Sequence, residues 1–162
     1  MNDQELKEPT ENKKNRLVVF TLDEQRYALH LSAVERVVFA VEVTPLPQAP
    51  EIVLGVINMQ GRIIPVMNIR KRFRLPEREI SLSDQLITAR TSSWTVALVV
   101  DSVSGVAERS AQEVIAAEKI LPGMEYVEGA AKLEDGIVFI HDLDRFLSLE
   151  EEKQLNDAMK KI

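Results

Sequence analysis

Apolar residues along this chain come in short β-rich runs separated by polar or turn-forming residues. Leu17 to Leu22 and Tyr27 to Leu31 flank Asp23-Glu24-Gln25-Arg26, and Tyr27, Leu29 and Leu31 lie on one face, which predicts a hairpin. Leu54 to Met59 and Arg62 to Ile69 flank Gln60-Gly61, where Gly supplies the positive φ of a tight two-residue turn, so a second hairpin is expected. Pro65 has no N–H to give a ladder, which places its strand at an edge or a bulge. Leu86 to Arg90, the turn Thr91-Ser92-Ser93 and Val96 to Val100 make a third hairpin.

Between these hairpins, Ser32 with Glu35 forms a capping-box pattern for one helical turn before Val37 to Val41 resumes as strand. Pro45, Pro47 and Pro50 punctuate a loop, Pro50 to Val53 suits a short helix, and Glu77 to Ser83 reads as a connector. Ser148 with Glu151 opens a terminal helix, acidic at its start and ending with Lys160 and Lys161. Its apolar residues Leu149, Leu155, Met159 and Ile162 are sparse, so loose surface packing is expected.

The pattern repeats. Leu17, Ala28, Leu29, Val34 and Val37 recur as Leu86, Ala97, Leu98, Val103 and Val106 at a constant offset of 69 (17 to 86). Gly55, Ile63, Asn68 and Ile69 recur as Gly129, Ile137, Asp142 and Leu143 at an offset of 74 (55 to 129). Two copies are too few for a solenoid and each alone is marginal, so the expected fold is all-β with a few short helices: two small barrels packed through a shared hydrophobic core. The expected layout is a disordered tail over 1–15, two barrel subdomains at roughly 16–83 and 84–147, and a C-terminal helix over 148–162. A junction between the halves offers a groove for a partner helix. Val34 and Val103, equivalent by the 69-residue offset, are either its facing walls or plain core.

Composition narrows the chemistry. With 162 residues, net charge −6 and no cysteine, the chain has no disulfide, no thiolate metal site and a general field that repels nucleic acid. No apolar run approaches the roughly 18 residues that span a bilayer, and no signal peptide is evident, so neither membrane insertion nor export is expected. The basic run Arg70, Lys71, Arg72, Arg74 and Arg78 can meet a phosphate or an acidic partner, or form a solvated face. His30 and His141 read as satisfied, half-buried strand residues, Glu134-Asp135 as a turn, and Asp101 and Asp142 as caps. Trp94 reads as a partly exposed packing residue or a binding anchor. No phosphate loop, dinucleotide fingerprint or nucleophile elbow occurs. The profile is that of a binding module without catalytic residues, cofactor or metal.

Gly55-Val56-Ile57-Asn58-Met59-Gln60-Gly61 with Ile64-Pro65-Val66-Met67-Asn68-Ile69-Arg70-Lys71-Arg72-Phe73 resembles the central signature of CheW-type chemotaxis coupling proteins. Leu98 to Val103 and Gly129 to Gly136 leading into Asp142-Leu143 resemble further blocks of that family, in the same order over about residues 16–147. The resemblance implies two SH3-like five-stranded barrels forming a non-enzymatic adaptor. Such an adaptor is cytoplasmic, at membrane-associated receptor arrays, and bridges the regulatory domain of a CheA-type histidine kinase and the cytoplasmic tips of methyl-accepting chemoreceptors. The alternative is a divergent module that occupies arrays without activating a kinase, or serves a non-chemotaxis two-component pathway. Implied partner-binding positions are Val34, Arg36, Gly55, Asn58, Gln60, Gly61, Arg62 and Val103. The chain departs from the family at Gln60 (usually Arg), Arg36 (commonly Glu), Asn68-Ile69-Arg70 (usually Asp-Leu-Arg) and around Ile140-His141 (usually Leu-Leu). Arg62, opposite Met59 across the turn, is placed to supply the charge that Gln60 lacks.

Overall fold

In the computed structural model, which describes residues 14–116 and 126–162, the apolar runs become strands. They are β1 (Lys14–Leu22), β2 (Gln25–His30), β3 (Val34–Phe39), β4 (Val53–Met59), β5 (Arg62–Met67), β6 (Gln85–Arg90), β7 (Thr95–Val100), β8 (Ser102–Ser110), β9 (Val114–Ala116), β10 (Val127–Leu133) and β11 (Gly136–His141). Two α-helices are described, α1 (Ile69–Arg72) and α2 (Leu149–Met159). All three expected hairpins form: β1–β2, β4–β5 and β6–β7. Of the expected tail, residues 1–13 lie outside the described residues, while Lys14 and Asn15 already pair with Ser110 and Arg109.

The duplication is visible strand by strand. One sheet has the order β8-β1-β2-β11-β10-β9 and the other β3-β6-β7-β5-β4. Replacing β3, β6, β7, β5 and β4 by their repeat equivalents β8, β1, β2, β11 and β10 turns the second order into the first. Registers agree too: Val66 lies beside Ala97 in a parallel pair, and Ile140 beside Ala28 in the other. Both central hairpins carry a bulge at the same place, between Val53 and Gly55 and between Val127 and Gly129. The first barrel alone adds a sixth strand, β9, where the second has a single bridge from Thr44 to Val56.

The barrels do not follow the expected division near residue 83. The first takes β1 and β2 from the N-terminal half and β8 to β11 from the C-terminal half; the second takes β3 to β5 and β6 to β7. Each half therefore gives strands to both barrels. The physical cause is plain at Asp101, the one residue between β7 and β8. Two Cα atoms flanking one residue are at most about 7 Å apart, whereas the far edge of β6 lies two strand spacings, about 9.5 Å, from β7. Strand β8 cannot reach its own hairpin's outer edge and pairs instead with β1.

Three apolar clusters follow. Leu17, Val19, Ala28, Ala131, Val138 and Ile140 fill the first barrel, and Ile57, Ile64, Val66, Leu86 and Ala97 fill the second. The largest lies between them, with Phe20, Leu22, Leu29, Met67, Ile87, Leu98, Val100 and Phe146 among its members. The same strands serve two clusters because successive side chains point to opposite faces. Leu155 belongs to this shared core and Ala158 is buried as well, so α2 docks firmly, contrary to the loose packing expected. Its capping box forms as expected, and Glu151 also holds Arg72. Leu149 and Ile162 remain exposed.

Other local expectations need correction. Pro65 is on an internal strand, not an edge or the bulge. Its partner Val56 directs both its N–H and C=O to Thr44, so Pro65 faces away from β4 at a point where pairing with β7 has not begun. No N–H is missed there. Pro50 to Val53 forms a turn closed by the Val53 N–H donating to the Pro50 carbonyl, not a helix. Leu31–Ala33 forms a single 3-10 turn without a side-chain cap, which leaves Glu35 free for other partners.

Candidate partner-docking surface

The β4–β5 hairpin tip is set by backbone geometry. Gln60 and Gly61 have φ of +54° and +87°, the two positive values that join strongly twisted strands through a two-residue turn. The Gly61 N–H donates to Asn58 Oδ1 at 2.9 Å, which fixes the turn. Arg62 leaves the tip opposite Met59, and 57% of its side chain is exposed. Its Nη2 donates to Thr95 Oγ1 at 3.0 Å and its Nη1 to Glu35 Oε2 at 3.4 Å, while Arg90 Nε donates to Glu35 Oε1 at 2.7 Å. The Arg90 hydrogen bond, opposed by partial burial and helped by Arg62, holds the Glu35 carboxyl below its ordinary range. One carboxylate thus orients two guanidinium groups, and the tip keeps a net positive charge.

The eight implied positions divide. Asn58, Gln60, Gly61 and Arg62 form this tip, and Glu35 ties Val34 and Arg36 to it through the start of β3. Arg36 is exposed. Gly55 is buried: a Cβ there would lie 2.2 Å from the Thr44 carbonyl oxygen, so its role is to let the chain pass. Val34 and Val103 are half-buried against the shared core, on different barrels, and the Val103 N–H donates to Gln85 Oε1 at 2.7 Å. The sequence reading missed Glu35, Arg90 and Thr95 as members of the tip. Glu35 had a local explanation as a cap, and nothing in linear spacing joins residues 27 and 33 positions from Arg62.

The remaining candidates are structural. Asp101 is not a simple cap: it accepts from Arg70 Nη2 at 2.8 Å, from Arg78 Nη2 at 2.5 Å and from the Asp23 N–H at 2.8 Å. Although burial opposes it, these bonds leave the Asp101 carboxyl below its ordinary range. Arg78 also grips buried Asp84, and Arg70 reaches Asp23 at 2.8 Å. This network ties the β1–β2 turn, α1, the connector and the β7–β8 junction together. Glu134-Asp135 forms the expected turn, and Asp142 caps the 3-10 turn that follows β11. His30 meets Glu128 at 3.0 Å, and that hydrogen bond raises its pKa. His141 overturns the expectation of a satisfied, half-buried histidine: it is 3% exposed, and neither ring nitrogen has a partner of full hydrogen-bond geometry among the described residues, although the Tyr126 backbone lies close enough to oppose in part the effect of burial. Trp94 packs partly buried on the shared core. Among the described residues no group of three or more His, Cys, Asp or Glu is placed to hold a metal ion, and no helix is long and apolar enough to cross a membrane.

Comparison with known proteins agrees with this architecture. The CheW-like domain matches residues 16–151. The chain is 26% identical over 145 residues to the chemotaxis protein CheW of Treponema pallidum, covering 86% of this chain and 85% of that one. It is 28% identical over 137 residues to that of Rhizobium meliloti, covering 83% and 88%. Among solved structures, the scaffolding protein TtCheW of Thermoanaerobacter tengcongensis superposes with a TM-score of 0.78 at 30% identity, covering 86% of this chain and 96% of that one. The two units are SH3-like barrels, as expected.

Proposed function

The chain belongs to the CheW-like domain family, and from that premise we propose that it is a non-enzymatic adaptor coupling chemoreceptor tips to a CheA-type histidine kinase. It acts in the cytoplasm at membrane-associated receptor arrays. The observation that carries this reading is the β4–β5 tip, where an exposed arginine is held in place by neighbours yet retains spare donor capacity. An arginine pre-ordered in this way loses little side-chain freedom on binding, and arginine is enriched among residues that dominate interfaces. Glu35 and Arg62 also form the acid–base pair that Arg36 and Gln60 cannot.

The test is calorimetric titration of the protein against a kinase regulatory domain and a receptor tip fragment, beside a kinase assay with receptor membranes. Arg62→Ala should keep its melting temperature and bind one partner about 1–3 kcal/mol more weakly, with Arg36→Ala affected less. Failure of the wild-type protein to bind either partner would remove the adaptor reading. Unchanged affinity in Arg62→Ala would remove the role given to the tip.

A further inference from the structure

Five basic residues occur between Arg70 and Arg78, and the fold sorts them into two groups. Arg70 and Arg78 are committed to Asp23, Asp84 and Asp101. Lys71, Arg72 and Arg74 instead line one cleft of about 290 Å³ with Glu51, Tyr126 and Glu151. Its wall is mainly polar, unlike the apolar faces through which barrels pack. Among the described lining residues three cations meet two carboxylates, in a chain whose net charge is −6.

The cations are incompletely matched. Lys71 Nζ lies 3.1 Å from a Glu51 carboxylate that is 87% exposed, a pair that water screens and a competing anion can replace. Arg72 donates through Nη2 to both Glu151 oxygens, at 2.7 and 2.9 Å, and its buried Nε–H has no acceptor among the described residues. Arg74 is exposed and its side chain has no partner among the described residues. Its φ of +59° is a costly conformation for a side chain of this kind.

We infer that this cleft binds a small phosphorylated ligand that presents a phosphate or diphosphate group to Lys71, Arg72 and Arg74. Two guanidinium forks and an ammonium suit a group with several anionic oxygens. The volume is at the lower end of small-molecule sites and too small to admit a helix about 10 Å across. This site is separate from the hairpin tip and would give the adaptor a chemical input independent of partner docking.

The experiment is titration of the full chain with pyrophosphate at fixed ionic strength, followed by calorimetry and by NMR of backbone and arginine side-chain resonances. Arg74→Asn removes the charge with a residue that tolerates positive φ, and Lys71→Gln removes a second charge at an exposed position. Both should melt as wild type. Saturable binding is expected, with shifts at Lys71 to Arg74 and at Tyr126, and each variant should bind at least about tenfold more weakly. Arg109→Ala, on β8 and not part of the cleft lining, should leave binding unchanged. Absence of saturable binding, or equal weakening by Arg109→Ala, would overturn the inference.

Discussion

The two barrels share strand order and register but differ in chemistry at matched positions, and the last residue of the second hairpin strand separates them most clearly. Met67 ends β5 opposite Val53, and His141 ends β11 opposite Val127. Met67 is 1% exposed and packs in the shared core with no polar atom that needs a strong partner. His141 stacks on Phe73 with ring centroids 4.3 Å apart and is enclosed by Tyr27, Tyr126 and Phe146. Burial pushes its pKa down to about 3. The hairpin tips differ as well. Arg62 and Arg90 flank Glu35 at one, while the other carries Glu134 and Asp135, with Asp135 paired to Arg26. Backbone pairing and side-chain chemistry are therefore specified separately: a matched pair of scaffolds presents hairpin tips of opposite character.

Dividing the chain near Ser83 should have the largest effect. A fragment over 14–83 keeps β1 to β5 but loses their partners β6, β7, β8 and β11, so neither sheet can form. Circular dichroism and thermal melts should find both fragments unfolded or aggregated alone, and mixing them should restore a cooperative transition. Independent folding of either fragment would break the exchange on which the comparison rests.

Glycine substitutions rank next. Gly55→Ala and Gly129→Ala place a Cβ 2.2 and 2.6 Å from the carbonyl oxygens of Thr44 and Ile115. Each should cost about 3 kcal/mol, because backbone must move to relieve the overlap. Gly61→Ala meets no atom within 4 Å and has only its φ of +87° to support, so about 1 kcal/mol is expected. Denaturant titrations of the three proteins would show whether the barrels are strained alike.

The Met67–His141 difference can be tested by exchange. Above about pH 6.5 the imidazole is neutral in both folded and unfolded chains. As the pH falls towards 3 the unfolded chain takes up a proton that the folded chain refuses, so stability is lost progressively across that window. His141→Leu should abolish this loss and, by removing unsatisfied polar atoms, raise stability at neutral pH by about 1–3 kcal/mol. Met67→His should introduce the same acid sensitivity into the second barrel. Melting temperatures from pH 7 to 4 would measure both. The smallest effect is expected for Glu35→Gln: it frees Arg62 and Arg90 from a surface pair and should cost less than about 1 kcal/mol of stability, while loosening the Arg62 orientation enough to weaken partner binding.

Much of the fold was legible because strand faces follow from alternation. Leu17 and Leu86, Ala28 and Ala97, and Leu29 and Leu98 are buried as pairs, as their common offset required. The hairpin tip was legible too, since only a residue free to adopt positive φ suits the second place of that turn. The Arg62 cluster was not, because Glu35, Arg90 and Thr95 meet it only through the pairing of β3 with β6, of β6 with β7 and of β7 with β5. Asp101 was misread for the same reason: its partners Arg70 and Arg78 lie 31 and 23 residues away.

By itself the sequence determined which residues face a core, where the chain turns, and that the unit is present twice. Alternation and turn chemistry act within a few residues, and a duplicated pattern keeps them in register. Only the tertiary structure decided which copy's strand lies beside which. A β-strand offers the same N–H and C=O ladder to any partner with a matching apolar face, so closed and exchanged barrels satisfy one pattern. The choice was made by the one-residue link at Asp101, and with it came the shared core, the seat for α2 and the meeting of distant charges at the hairpin tip.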